Sequence, residues 1–422
     1  MREMKDSGIS WIGEIPKEWK CLPIRALFTE NRNKNFLGKE TKALQFKYGT
    51  IIPKKNFDPE ENYVAETILN YNIVDRGMIM LNGLNLNFDF VSKRIALVTE
   101  RGIITSAYMS FYPTDTTTVS SEYSNYLLKS YDNCAAFHNM GGGVRKILNF
   151  DELKRQYFIL PSLDEQQRIA EFLDRECGKI DGLKADIQAQ IDTLEQYKRS
   201  VITEAVTHGL NPSAPMKDSG AGWMPLIPLH WKADKLKFHL RQRGIKNQID
   251  KQVLSLYREY GIVPKDSRDD NHNVTSEDVS DYRYVRVGDF VVNKMKAWQG
   301  SVAVSNYEGI VSPAYFIYEF SDDLINKRYF HYLMRNKTYA TEFRRLSGGI
   351  REGQWDLPSE ALNNTIILLP PLDEQQEIAD YLDNKCAEIE QIIADKESQI
   401  ETLDGYKKSL IYEYVTGKKE VG

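Results

Sequence analysis

The sequence has few cysteines and histidines, and neither type is grouped as a metal site or a disulfide framework would require. The four cysteines are scattered over 422 residues without a CxxC pair, and the six histidines do not cluster with acids or cysteines. This distribution argues against a zinc ribbon and is typical of a reducing compartment. No apolar run approaches the roughly 18 residues that cross a bilayer, and the opening MREMKDSGISW has no signal-peptide core. We therefore expect a cytoplasmic protein without a membrane partner.

Short catalytic motifs are also missing. The sequence contains no GxxxxGK(S/T) phosphate loop, no GxSxG, no HExxH and no Pro-Asp dipeptide of the common nuclease core. It lacks the (D/N/S)PP(Y/F/W) motif with which an adenine-N6 methyltransferase holds its target amine. GGGVRK, from Gly141, has glycines without the GxGxxG spacing. We therefore expect a chain that is not an enzyme and that binds no cofactor or metal of its own.

A long segment of the chain is repeated. LPSLDEQQRIAEFLD, from Leu160, returns as LPPLDEQQEIADYLD, from Leu369, and the match continues without a gap over 48 positions, of which 26 are identical. The openings MKDSGISW, from Met4, and MKDSGAGW, from Met216, form a second pair, and two weaker pairs follow in the same order. The chain is therefore a tandem duplication.

The duplication and the pattern of elements predict the architecture. Short β-rich runs such as GMIMLN and GDFVVNK fill the globular parts, and a helical segment follows each set. LNPSAP, with two prolines, marks a linker between the halves. The predicted fold class is mixed α/β (α+β), a pseudo-two-fold tandem duplication with two globular domains and two long helices. The expected bounds are 1–158 and 211–366 for the globular domains, and 159–210 and 367–422 for the helices.

The repeated segment is predicted to be a long helix. Asp164 and Asp373 suit the N-cap position, with Gln167 and Gln376 as capping-box partners. Apolar residues then recur every seven positions, which indicates a coiled coil about 65 Å long. The simplest partner for each copy is the other copy; the alternative is two surface helices, each packed on its own domain. The predicted core consists of Leu173, Ile180, Ile187 and Leu194 against Leu382, Ile389, Leu403 and Leu410, with Ile169, Leu183, Tyr197, Ile378, Ile392 and Tyr406 at the other seam position.

Charge is unevenly distributed along the chain. The net charge of −5 argues at first against a nucleic-acid partner. The net negative charge, however, lies on the two helical segments, and the globular parts carry a small excess of lysine and arginine. Because phosphate contacts need local positive surface, this distribution is compatible with DNA binding. The acidic helices are candidates for protein docking, although helix surfaces are often rich in glutamate.

The LPxLDEQQxIAxxLD helix entry, the twin MKDSGxxW openings and the NKMKAWQG-then-GIVSPAY run together resemble the specificity subunit of a type I restriction–modification system. The resemblance covers essentially the whole chain. It implies that each globular half is a target recognition domain that reads one half of a split, asymmetric site in double-stranded DNA. It also implies that the two helices pack antiparallel, fix the spacer and dock two methylation subunits, which restriction subunits join in the full complex. S-adenosylmethionine would belong to the methylation subunits, and ATP and Mg to the restriction subunits.

Candidate DNA-contacting residues in the second domain follow a strand and combine amides, cations and one aromatic ring, which suits base edges and phosphates. They are Asn293, Lys294, Lys296, Trp298 and Gln299. An alternative for Trp298 is packing under the sheet. Arg344 and Arg345 end a helix, where they could contact DNA or stabilise the helix C-terminus.

The equivalent place in the first domain contains NGLNLN. Asparagine pairs bidentately with adenine, but these residues are also ordinary in turns. Glycine-rich loops bring further cations near a ligand, since glycine permits close backbone approach; a structural turn is the alternative. The candidates are Asn82, Asn85, Lys93 and Arg94, with Arg145, Lys146 and Arg351 in the glycine-rich loops.

Two other functions compete with this interpretation. A coiled-coil scaffold predicts that the globular halves bind no DNA, and the duplication weighs against it. A stand-alone DNA-modifying enzyme predicts methyl transfer or cleavage by the chain alone, and the missing motifs weigh against that.

Overall fold

The structure is a computed structural model that describes residues 2–55, 57–58, 67–142, 146–258, 260–267, 275–276, 278–349 and 355–421. The chain forms two compact units, Met1–Ile187 with Glu397–Gly422, and Gln188–Lys396. Each unit therefore combines one globular part with the beginning of one long helix and the end of the other. The predicted mixed α/β class and the tandem duplication are confirmed.

The first unit is built around a four-stranded antiparallel sheet in the order β4-β11-β8-β9, accompanied by the strand pairs β1-β2, β3-β12, β5-β6 and β7-β10. The strands are β1 Met4–Asp6, β2 Glu14–Pro16, β3 Lys20–Pro23, β4 Phe28–Glu30, β5 Leu44–Lys47, β6 Thr50–Pro53, β7 Asn72–Val74, β8 Ile79–Leu81, β9 Ile95–Leu97, β10 Gly102–Ile104, β11 Met109–Pro113 and β12 Tyr157–Leu160. The helices are α1 Ser121–Asn133, α2 Phe150–Leu153 and the long α3, Leu163–His208, which continues into the second unit.

The second unit repeats this topology, with the sheet β16-β23-β20-β21 and the pairs β13-β14, β15-β24, β17-β18 and β19-β22. The strands are β13 Met216–Ala221, β14 Met224–Pro228, β15 Lys232–Lys235, β16 Leu240–Arg243, β17 Leu254–Tyr257, β18 Gly261–Pro264, β19 Arg283–Val285, β20 Phe290–Asn293, β21 Val302–Val304, β22 Gly309–Val311, β23 Tyr315–Phe320 and β24 Ile366–Leu369. The helices are α4 Lys327–Arg335, α5 Lys337–Leu346, α6 Ser359–Asn363 and the long α7, Leu372–Val415.

A buried glutamine ties the start of α3 to the first unit. Gln166 is 0% exposed. Its side-chain oxygen accepts from Ser120 N at 2.9 Å, and its side-chain nitrogen donates to Thr118 O and Pro161 O, both at 3.0 Å. Ser120 is itself the N-cap of α1. One amide therefore fixes the long helix, α1 and the preceding strand to one another.

The second unit has the same junction 209 residues later. The Gln375 side chain accepts from Asn326 N at 2.8 Å and donates to Leu324 O and Pro370 O at 3.0 and 2.9 Å. Asn326 caps α4, as Ser120 caps α1. The first glutamine of each DEQQ motif, Gln166 or Gln375, is thus a buried structural residue.

The glutamate before each glutamine holds a buried tryptophan. Trp19 Nε1 donates to Glu165 at 2.9 Å, and Trp231 Nε1 donates to Glu374 at 3.0 Å. Both indoles are at most 1% exposed. These bonds explain why the tryptophan in each opening segment repeats together with the DEQQ motif.

The predicted N-caps of the long helices were wrong. The helices begin at Leu163 and Leu372, so Asp164 and Asp373 lie within the first turn. Their charge stabilises the positive helix end there without capping it. Gln167 is exposed, and Gln376 bonds Asp380 and Asn326 instead of closing a capping box.

The two long helices run antiparallel within each unit. In the first unit, Lys407 of α7 pairs with Asp181 of α3 at 2.6 Å, and Asp404 pairs with Lys184. In the second unit, Lys198 of α3 pairs with Glu390 of α7, and Gln190 of α3 accepts a hydrogen bond from Lys396 of α7. In each unit the paired residues on α7 have lower residue numbers as those on α3 have higher ones, so the two helices are antiparallel.

Only part of the predicted seam is buried. Leu173, Ile180, Leu382, Ile389 and Leu410 are at most 5% exposed, and Ile169 and Ile378 are also buried, whereas Ile187, Leu194 and Leu403 are half-buried. The other seam prediction was wrong at four positions, which are exposed by 39–57%: Leu183, Tyr197, Ile392 and Tyr406. A single antiparallel partner covers one narrow stripe of a helix, and these residues lie beside it.

The end of each long helix is buried in the globular part of its unit. The Tyr123 hydroxyl lies 3.0 Å from Val415 O at the end of α7 and 3.2 Å from Ile159 O. In the second unit the Tyr329 hydroxyl lies near Val206 O of α3 and Leu368 O. Burial raises the pKa of both tyrosines well above the ordinary value, which keeps the hydroxyls protonated as donors. Among the helices of the described ranges, none has the length and apolarity that a membrane crossing requires.

Replacing Gln166 by methionine should destabilise the first unit. The change keeps the side-chain volume but leaves Ser120 N, Thr118 O and Pro161 O without their partner. We expect a loss of about 1–3 kcal/mol in the free energy of unfolding, measured by urea titration of the purified chain with circular dichroism detection. Gln167→Met is the matched control, because Gln167 is exposed and should change stability by less than about 0.5 kcal/mol. Equal urea midpoints for the two variants would contradict the structural role of Gln166.

Candidate nucleic-acid interface

Three segments of the second unit meet beside the end of β20. They are the turn that follows β20, the last turn of α5, and the residues around Asp356. The Lys294 carbonyl accepts from Leu357 N at 2.9 Å, and the Lys294 ammonium lies 3.1 Å from the Asp356 carboxylate. Segments that are distant in sequence therefore form one surface, which we call the second-unit surface.

The sequence candidates in the turn after β20 differ in their exposure. Asn293 is 8% exposed, and its side-chain oxygen accepts from Met295 N at 3.2 Å. Asn293 is therefore a structural residue of the turn, and its prediction as a DNA contact is corrected. Lys296 is exposed, and Lys294 and Gln299 are half-buried at the surface.

Aromatic rings form the centre of the second-unit surface. Trp298 is half-buried, and its Nε1 donates to Met295 O at 3.0 Å. Its ring centroid lies 5.6 Å from that of Trp355. Trp298 therefore belongs to the surface and is not packed under the sheet. Trp355 was not among the sequence candidates; an isolated tryptophan beside a glycine-rich segment was the available signal.

The two arginines at the end of α5 have different surroundings. The Arg344 guanidinium lies 5.9 Å from the ring centroids of both Trp298 and Trp355. The Arg345 guanidinium donates two bonds of 2.7 Å to the Glu342 carboxylate, which is 4% exposed. The Arg345 side chain is 66% exposed, so Arg344 and Arg345 both remain candidates on the second-unit surface.

In the first unit, a longer loop occupies the place that the turn after β20 occupies in the second. It connects β8 to β9 and includes Asn82 and Asn85. The Asn82 side chain accepts from Leu84 N at 3.2 Å. Asn85 is exposed with a φ of 52°, and its carbonyl accepts from Phe88 N and Asp89 N. Asn82 thus shapes the turn, while the Asn85 side chain faces solvent.

Arg94 does not face a ligand. It is 0% exposed, and its guanidinium donates to the carbonyls of Asn82 and Leu84 at 3.1 and 2.8 Å and to that of Asp89. The backbone of Arg94 donates to Asp132, whose pKa is raised by burial. The prediction of Arg94 as a DNA contact was wrong, because the sequence does not reveal that the loop closes over this cation.

The loop that Arg94 holds presents apolar side chains to solvent. Phe88 is 72% exposed and Val91 is 93% exposed. Phe90 stacks on His138, with ring centroids 4.7 Å apart. Bonds from Ser92 lower the pKa of Asp89, which keeps that carboxylate ionised in the loop. These apolar residues were not sequence candidates, although FDFV within a polar loop was a readable signal.

The remaining first-unit candidates lie beside this loop. Lys93 is exposed, and the Lys146 carbonyl accepts from Leu86 N at 3.1 Å. A Cβ on Gly83 would lie 2.3 Å from Leu148 O, so only glycine permits this close approach. Arg145 and Arg351 lie outside the described residues.

These surfaces offer side chains that can bind a nucleic acid. In the described parts of the chain, no three His, Cys, Asp or Glu side chains are arranged to hold a metal ion. The second-unit surface offers lysine and arginine cations with two indole rings, which suit phosphates and base edges. The first-unit loop offers amide, lysine and apolar groups.

Comparison with known proteins identifies relatives of this chain. A family model described as the type I restriction modification DNA specificity domain matches residues 96–193 and 245–402, together more than half of the chain. The chain is 26% identical over 383 residues to the specificity subunit of the type I restriction enzyme MjaVIII of Methanocaldococcus jannaschii, covering 84% of this chain and 81% of that protein. A solved chain from work on complex assembly and conformational transition of the type I R-M system matches with a TM-score of 0.68 at 14% identity, over 96% of this chain and 99% of that one.

The two matched segments end at corresponding positions of the duplication, residues 193 and 402, and the second begins earlier in its repeat than the first. Each includes later strands of the four-stranded sheet and much of a long helix. The solved structure supports the fold alone, because its identity to this chain is low. Together with the repeated DEQQ junctions, the family match leads to one conclusion: the chain belongs to the specificity-subunit family of type I restriction–modification systems.

Proposed function

We propose that this chain is a non-catalytic subunit that directs a type I restriction–modification complex to a split, asymmetric site in double-stranded DNA. Each globular domain reads one half-site, residues 1–158 one half and residues 211–366 the other. The long helices set the spacer and dock two methylation subunits, which supply S-adenosylmethionine. Restriction subunits, which use ATP and Mg, complete the assembly.

One observation carries the proposal: the two units share their strand order and junctions but differ in the connection at the same sheet position. In the first unit the β8–β9 connection is long, amide-rich and tipped by Phe88 and Val91. In the second unit the β20–β21 connection is short and carries Lys296 and Trp298. Different base pairs present different donors, acceptors and methyl groups in the major groove. Divergence at equivalent loops is what two unlike half-sites require.

Docking of two methylation subunits is supported by the exposed residues beside the helix seam. In the first unit Leu183 and Tyr406 are 53% and 57% exposed, and the ion pairs Asp181–Lys407 and Lys184–Asp404 place them at neighbouring register positions. In the second unit Tyr197 and Ile392 occupy the equivalent positions beside the Lys198–Glu390 pair. Apolar side chains framed by charge are typical of protein interfaces. Two equivalent pairs of exposed apolar residues would allow one methylation subunit to bind in each unit.

Deletion of the gene should remove a split methylation motif from host DNA. Methylation-sensitive sequencing of the host with the gene intact and deleted is the measurement, and N6-methyladenine in each half of the motif is the expected pattern. Exchange of residues 1–158 for those of a relative should change one half only. If the deletion leaves every motif of a host with an active system unchanged, the chain acts as a scaffold and not as a DNA reader.

Replacing both Leu183 and Tyr406 by glutamate should prevent one of the two methylation subunits from binding. We expect native mass spectrometry of the co-expressed complex to shift from two methylation subunits per chain to one. A second variant with Tyr197→Glu and Ile392→Glu should do the same, and the combination of all four changes should weaken binding by more than about tenfold at each site.

The control for this experiment is Leu226→Glu. Leu226 is 51% exposed on β14, so its replacement introduces the same charge at a similarly exposed apolar residue. The complex of this variant should keep both methylation subunits. Full stoichiometry in the four-residue variant, with normal helix content by circular dichroism, would refute docking at these positions.

A further inference from the structure

The first-unit loop between β8 and β9 exposes a group of apolar side chains at its tip. Phe88, Phe90 and Val91 are 69–93% exposed and fall within four residues of one another. Leu86, two positions before Phe88, is by contrast fully buried in the core of the unit. Apolar area in water is unfavourable, and a group of exposed apolar residues is typical of a contact surface. A partner that covers the tip would therefore recover this free energy.

The backbone of the tip is held in a defined shape by bonds to Asp89. Its carboxylate accepts from Val91 N and Ser92 N at 3.2 and 2.9 Å. Its carbonyl accepts from the buried guanidinium of Arg94 and lies 3.1 Å from Nε2 of His138. The backbone that carries the apolar side chains is therefore ordered before a ligand binds, which reduces the entropy lost on binding.

Lysines lie beside the apolar tip. Lys93, near the end of the loop, is exposed. A Cβ on Gly49 would lie 2.9 Å from the Lys93 Cβ, so the turn between β5 and β6 packs against this lysine. That turn exposes Lys47 and Tyr48, with the Lys47 ammonium 5.3 Å from the Tyr48 ring centroid. Apolar groups flanked by cations suit DNA, because lysines can contact phosphates while the apolar groups contact base edges.

The position of the loop in the fold also favours a DNA contact. It follows β8, the strand that corresponds to β20 of the second unit, where the next turn carries Lys296 and Trp298. The loop additionally presents the exposed side chain of Asn85, an amide that matches the adenine edge. An amide and an apolar group together are complementary to an A·T pair, whose major-groove edge carries adenine N6 and N7 and the thymine methyl group.

We propose that Phe88 and Val91 contact a thymine methyl group in the half-site that the first domain recognises. The inference rests on the proposed function and adds the chemical group that is read and the residues that read it. Thymine is the base with a methyl group in the major groove, and phenylalanine is among the side chains that recognise it by apolar contact. Burial of one such group corresponds to about a fourfold change in affinity.

The test removes the methyl group from the DNA and the apolar side chains from the protein, separately and together. Deoxyuridine replaces each thymine of the first half-site in turn, which deletes the C5-methyl group and keeps the base-pairing edge. Competition binding uses the complex with the methylation subunits, in the wild type and in a variant that combines Phe88→Ser with Val91→Ser. The half-site itself is assigned by exchange of residues 1–158.

The wild-type complex should bind about fourfold more weakly when deoxyuridine replaces the thymine at one position. The double variant should bind the thymine and deoxyuridine duplexes equally, because the side chains that contact the methyl group are gone. The matched control combines Phe36→Ser with Leu37→Ser, since these neighbours are 71% and 77% exposed in another loop of the same unit. The control should keep the wild-type loss of affinity. Circular dichroism of each variant verifies that the domain remains folded.

Several outcomes would overturn the assignment. Unchanged wild-type affinity for every deoxyuridine duplex, or equal losses in the wild type and the double variant, would show that the tip reads no methyl group. Loss of a methylation subunit by the double variant, with its DNA preferences retained, would make the tip a protein-docking surface. A first half-site without thymine on either strand would exclude the contact directly. A wild-type complex that binds DNA without any sequence preference would instead refute the proposed function, so the two failures are distinguishable.

Discussion

The buried amide at the start of each long helix connects three parts of the chain that must stay in register. Gln166 bonds the cap of α1, a neighbouring carbonyl and the residue that follows β12, and Gln375 does the same in the second unit. An unpaired polar group at such a depth is costly, so the bonds of the amide stabilise this arrangement of the three parts. The glutamate beside it adds a bonded indole. Any surface on a globular domain is thereby fixed relative to the beginning of the helix that follows it.

The contrast between repeated and divergent features follows from this constraint. The junction residues recur because each domain must attach to its helix in the same way. The connections between β8 and β9 and between β20 and β21 lie on the same sheet position but share neither length nor chemistry. The junction glutamines Gln166 and Gln375 are buried and bonded to backbone, whereas divergent residues such as Val91 and Lys296 are exposed. Burial thus separates the part of the molecule that is common to both units from the part that distinguishes them.

The sequence predicted the large-scale organisation better than the details of the surface. The duplication and the strands were readable because identical residues recur at one offset and β-branched runs end at glycine or proline. The seam prediction failed at residues such as Leu183, because a seven-residue period identifies apolar positions without revealing which of them the partner helix covers. Arg94 and Asn293 were misassigned for a related reason: a polar residue after a strand can bind its own loop as readily as a ligand.

The way in which Arg94 holds the first-unit loop has a consequence for variation. Its guanidinium binds carbonyl oxygens of the main chain, at Asn82, Leu84 and Asp89, and so does not depend on the side chains that the loop carries. A substitution at Phe88 or Val91 changes what the loop offers to solvent while the bonds that shape it persist. New binding preferences can therefore accumulate at the loop tip with little loss of folding stability, because the anchor and the exposed tip are separate residues.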